Sequence, residues 1–75
     1  MKIQIRANYQ NEGKIGSIQV SKIVGKKPIE YILQLFENSN LVLNKNKYAS
    51  ISSAIAGASQ YGFLTNLWNI EELEV

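Results

Sequence analysis

The sequence predicts a two-layer α/β sandwich, a mixed four-stranded sheet with two helices on one face, in the order ββαβαβ. Polar and apolar residues alternate over Lys2-Ile3-Gln4-Ile5-Arg6-Ala7 and again over Ser17-Ile18-Gln19-Val20, the period of strands with one buried face. Ile29, Ile32, Leu33 and Phe36 then repeat at i, i+3, i+4, i+7, and Ile51, Ala54, Ile55 and Ala58 form a second such stripe, as on half-buried helices. Helices between strands require crossover connections, which place both helices on one face of a mixed sheet.

Taken in order, residues 2–7 form the first strand, with Ile3, Ile5 and Ala7 facing inward. Residues 8–14 are polar and include Gly13, so a seven-residue loop flanked by Arg6 and Lys14 is expected. Such a loop is long for a hairpin and could serve as a reaching arm. The second strand, from Ser17, becomes continuously apolar at Ile23-Val24 before Gly25, Lys26, Lys27 and Pro28. Proline suits the first position of a helix, because its missing N–H would have no partner there. Two lysines in that turn oppose the helix dipole, at a cost of a few tenths to about 1 kcal/mol. An anion above the turn would reverse the sign, since amides, dipole and ammoniums would all point at it.

This first helix runs from Pro28 to Asn38-Ser39-Asn40, with Leu35 off its stripe. A short strand, Leu41-Val42-Leu43, leads into the basic loop Asn44-Lys45-Asn46-Lys47-Tyr48. The second helix covers residues 49–61, with Ser50 as N-cap and Gly62 as the left-handed residue past its end. Its small residues, Gly57 among them, allow close approach to a neighbour. Phe63 and Trp68 are expected in the core, Tyr31 and Tyr61 in the core or at a dimer contact, and residues 68–75 form the last strand.

The 75 residues make one domain, 1–75, without Cys, His or Asp. That composition excludes thiol or imidazole catalysis and a Cys/His zinc site, so binding is favoured over enzymatic chemistry and no cofactor is expected. Net charge is +2 and the pI about 9.0. All eight Lys and Arg lie in residues 1–48, while residues 49–75 hold three Glu and no base, so a polyanion should meet the first two thirds of the chain. No apolar run is long enough to span a membrane, and a cytoplasmic location, or a nuclear one in a eukaryote, is expected.

The stretch Ile23-Val24-Gly25-Lys26-Lys27-Pro28-Ile29-Glu30-Tyr31-Ile32 resembles the Alba family of small archaeal DNA- and RNA-binding proteins, in which a strand ends in Gly-Lys-Lys-Pro and opens the first helix. Leu41-Val42-Leu43, the helix start Ser50-Ile51-Ser52-Ser53-Ala54-Ile55, Phe63-Leu64 and the strand Glu71-Glu72-Leu73-Glu74-Val75 extend the likeness over residues 18–75. The resemblance implies a βαβαββ chromatin protein, usually a homodimer and nucleoid-associated. It binds through the lysines matched by Lys26 and Lys27, the loop before the second helix, and a hairpin arm from the last two strands. Lys45 and Lys47 fall in that loop, which lacks the family's Arg and Gly and has Tyr48 near the expected glycine. The second strand of the family's arm would lie past Val75. On this likeness residues 2–7 would fill the sheet and residues 8–14 would replace the arm.

The expected function is therefore non-catalytic binding to the phosphate backbone of DNA or RNA, with low sequence specificity. Its expected site is Gly25, Lys26 and Lys27 with the loop residues Lys45, Lys47 and Tyr48, where lysines suit phosphate and Tyr48 suits stacking on an unpaired base. Arg6 and Lys14 form the possible arm. The reading from a different class is a protein-interaction or regulatory module of this fold, such as a ribonucleoprotein subunit or a viral accessory protein, that no longer binds nucleic acid.

Overall fold

The computed structural model describes residues 2–74, with side chains for residues 6–71. It is a small α+β domain of five strands and one helix: β1 (Lys2–Asn11), β2 (Lys14–Val24), β3 (Lys27–Glu37), β4 (Asn40–Tyr48), α1 (Ile51–Ser59) and β5 (Asn69–Glu74). A single 3₁₀ turn, Thr65–Leu67, precedes β5. The sheet is antiparallel throughout, in the order β4-β3-β2-β1-β5.

Tight turns produce the first four strands. Asn11 pairs with Lys14 and Glu37 with Asn40, leaving the two-residue loops Glu12-Gly13 and Asn38-Ser39. All four loop residues have positive φ, at 50°, 80°, 51° and 71°, the pattern of type I′ turns whose twist matches that of the strands. In the third loop, Gly25-Lys26, only Gly25 (φ +64°) is positive, the pattern of type II′. The seven-residue loop expected over residues 8–14 is therefore absent, because β1 continues to Asn11.

The expected helix over residues 28–37 is a strand, which makes the sheet five-stranded rather than four-stranded and leaves one helix rather than two. Tyr31, Leu33 and Leu35 are buried at spacing two, while Ile32, Gln34 and Phe36 on the other face are half-buried. Because both faces bear apolar residues, Ile29, Ile32, Leu33 and Phe36 also match a helical stripe. Leu35, fully buried and off that stripe, is the residue that distinguishes the two patterns.

β4 and β5 run in the same direction at opposite edges, so the chain between them must recross one face. α1 makes most of that crossing. Ser50 caps it by accepting from Ser53 N at 3.1 Å. Beyond its end, Gly62 N donates to Ser59 O and Phe63 N to Ala58 O, the paired bonds of a Schellman motif with Gly62 (φ +85°) in the left-handed position. Ile51, Ala54 and Ala58 pack on Ala7, Ile18, Leu33 and Leu35.

Phe63 and Trp68 complete this layer beside Tyr9. Ring centroids lie 4.8 Å apart for Tyr9–Phe63 and 5.2 Å for Tyr9–Trp68. The Tyr9 hydroxyl accepts from Leu64 N at 3.2 Å, fastening the loop after α1 to the sheet. Gly16, paired with Tyr9, leaves the space into which the indole fits; a β-carbon there would collide with the distal ring of Trp68. Among the described residues no helix covers the opposite face of the sheet. Asn44, Gln34, Ser17, Asn8 and Asn69 stand in register across all five strands there, an uncharged polar row.

Gly16→Ala is expected to cost about 1–3 kcal/mol through overpacking. In a Trp68→Phe background, where the distal ring is gone, the same substitution should cost less. Urea midpoints at unchanged m measure this coupling.

Candidate nucleic-acid interface

The β2–β3 hairpin outruns its neighbours. Beyond the pair Val20–Tyr31 it continues as a two-stranded ribbon to Gly25-Lys26, with bulges at Ser21 and Ile29 that increase its twist. Every residue from Ser21 to Lys27 is exposed, and the molecule measures 37 × 19 × 18 Å along its principal axes. Gly25, Lys26 and Lys27 thus occupy the tip of a projecting arm and not the first turn of a helix, so a helix dipole plays no part at this site. Pro28 opposes Ile23 within the ribbon.

Lys22, which the sequence reading did not single out, belongs to this group. It opposes Glu30 across the ribbon, beside the tip lysines. Its signal was its position three residues before Gly25, which matters only once a hairpin is recognised there. Ile23 and Val24 at the tip are each 57% exposed.

The basic segment 44–48 is the end of β4, not a loop. Tyr48 pairs with Tyr31 and Lys45 with Leu33, with a bulge between them. This register sets Lys45, Lys47 and Tyr48 at the base of the arm, so the two basic stretches predicted from sequence meet at one end of the sheet. Tyr31 is buried there, which pushes the pKa of its hydroxyl up.

Lys47 occupies the bulge with φ +71°, and its amide donates to Asn46 Oδ1 at 2.8 Å. A left-handed lysine is uncommon, and the bulge turns its side chain out of the regular alternation. Lys45 Nζ lies 5.3 Å from the centroid of the Tyr48 ring, a cation–π distance. The β2–β3–β4 side of this end therefore bears Lys22, Lys26, Lys27, Lys45 and Lys47 against Glu30, among the described side chains.

Arg6 and Lys14 do not form an arm. Arg6 lies within β1, its Nε 2.5 Å from Glu71 Oε2 on the edge strand β5. Lys14 opens β2 at the end of the sheet away from the hairpin tip, opposite Glu37. Its ammonium reaches the C-terminal end of α1, where a β-carbon on Gly62 would stand 3.0 Å from Nζ. A cation there complements the helix dipole.

Between β4 and α1 lies a groove of about 420 Å³, lined by Leu43, Lys45 and Tyr48 from the sheet side and by Ser53, Ala56 and Gly57 from the helix, with Gln60 and Tyr61 at the helix end. Gly57 permits the Tyr48 ring to rest against the helix, since a β-carbon there would come within 3.1 Å of Tyr48 Cζ. Among the described residues no cluster of acidic, His or Cys side chains could hold a metal, and no helix is long and apolar enough to cross a membrane.

No family model, curated protein or solved structure matches this chain. Function must therefore be read from its residues and their geometry.

Lys47→Gly removes a left-handed side chain and is expected to raise stability by several tenths to about 1 kcal/mol, measured by urea unfolding.

Proposed function

We propose that this domain binds the phosphate backbone of DNA or RNA without catalysis and with low sequence specificity. The supporting observation is that the β2–β3–β4 register gathers Lys22, Lys26, Lys27, Lys45 and Lys47 at one end of the sheet, three of them on a projecting ribbon. Lysines neutralise phosphates as point charges, whereas base readout relies on planar bidentate groups, and the chain's single arginine, Arg6, is held by Glu71. The acidic edge strand β5 lies three strands away from β3 across the sheet and would turn that side from a polyanion.

The Alba resemblance favours the same chemistry through Gly25, Lys26, Lys27 and Pro28, here displayed on a hairpin tip. A homodimer, which that resemblance implies, would present two such ends, and sedimentation would measure it. A nucleoid-associated place in the cytoplasm follows from the same reading. The exposed Ile23 and Val24 favour a second reading, in which the ribbon docks on a protein and the nucleic-acid function is lost.

Anisotropy titrations with duplex DNA and single-stranded RNA at two salt concentrations test the proposal. Affinity should fall steeply with salt. Replacing Lys26→Glu together with Lys27→Glu should lower it at least about tenfold at low salt and reduce the salt slope by about two. Unchanged affinity in that variant, or no binding by the wild type at low salt, would overturn the phosphate reading and favour the protein-docking one.

A further inference from the structure

We infer that the groove between β4 and α1 seats one unpaired nucleobase, so that single strands gain a contact that duplexes cannot make. The inference rests on the nucleic-acid reading above and gives this end of the molecule a second kind of contact besides charge.

The lining matches a base in each respect. Tyr61 offers an exposed aromatic face, and every base has a π-face to place against it, while Tyr48, packed on Gly57, walls the groove opposite. Tyr61 is 43% exposed and contributes no packing to the core, so its ring is available. Gly57 lets the Tyr48 ring lie against the helix as one wall of the groove, and Ala56 beside it adds no bulky side chain to obstruct the opening. Ser53 and Gln60 supply the donor and acceptor groups that a base edge requires. At about 420 Å³ the groove lies in the range of small-molecule sites.

Charge links the groove to the rest of the interface. Lys45 lines it while its ammonium lies 5.3 Å from the Tyr48 ring centroid, so a phosphate attached to a seated base would meet a cation at once. Lys47 is two residues farther along the same strand, and the arm base begins at the Tyr31–Tyr48 pair. A strand held along these lysines therefore passes the mouth of the groove. A base inside a duplex would first have to leave its stack, at a cost of a few kcal/mol, and would gain little.

The test compares a fluorescein-labelled oligo(dT) or oligo(U) with a duplex of equal length at one salt concentration. Tyr61→Ala should weaken single-strand binding about five- to hundredfold, the range for losing one stacked base, and leave duplex affinity within about twofold. Tyr61→Phe, which keeps the ring, should bind single strands like the wild type. Circular dichroism establishes that each variant is folded. Unchanged single-strand affinity in Tyr61→Ala, or an equal loss on both substrates, would overturn the inference. If in the same assay Lys26→Glu with Lys27→Glu still weakens binding at least about tenfold, the phosphate reading stands while the base seat falls. Absence of wild-type binding to either substrate would remove both.

Discussion

The fit of Trp68 against the bare backbone of Gly16 underlies much of this architecture. A helix of nine residues, Ile51–Ser59, is too short to cover five strands. Small side chains let it lie close over β3, and the rest of the face needs large rings. Tyr9, Phe63 and Trp68 supply them, with Phe63 and Trp68 brought by the segment that returns the chain across the sheet. Without a gap at Gly16 the indole would stand off the sheet, and Tyr9 would lose one neighbour. The indole Nε1 is buried without a hydrogen-bond partner among the described residues, so shape rather than polarity governs this contact.

The elements legible in the sequence were those whose pattern admits one reading. α1 was foreseen with its N-cap Ser50 and its terminating Gly62, because a serine before a stripe of small apolar residues and a glycine after it suit few other structures. The alternation of β1 and β2 was equally clear, and so was the burial of Phe63 and Trp68. Residues 28–36 were ambiguous, since a strand with apolar residues on both faces also satisfies helical spacing. Two-residue turns were missed for a related reason. Glu12-Gly13 and Asn38-Ser39 look like a loop and a helix stop until each is recognised as a pair of left-handed residues. Once those turns are placed, Leu35 belongs to the buried face and Tyr9 leaves its supposed loop for the core.

The sequence singles out Lys26, Lys27, Lys45 and Lys47, but the setting in which the fold holds them is not legible from local spacing. Local spacing places Lys26 and Lys27 at a helix N-terminus, where amides would assist them, whereas they stand exposed on a two-stranded ribbon. It places Lys45, Lys47 and Tyr48 in a loop, whereas they belong to a bulged strand end. What unites them is hairpin register, a long-range property that local spacing does not encode. The same register separates Arg6, paired with Glu71, from Lys14, which serves the end of α1. Charge on this molecule is thus sorted by strand order: basic toward β3 and β4, acidic at β5.

The position of β5 bears on how the chain reaches its native form. The first four strands join through local turns, so their hairpins can zip from neighbouring residues with little loop entropy to overcome. β5, in contrast, pairs with the strand that began the chain, and Arg6 meets Glu71 across 65 positions. The aromatic layer closes only when that distant segment arrives. The clasp between the first strand and the last is therefore where the fold meets its largest loop-closure entropy, and the aromatic layer it completes is what offsets that cost.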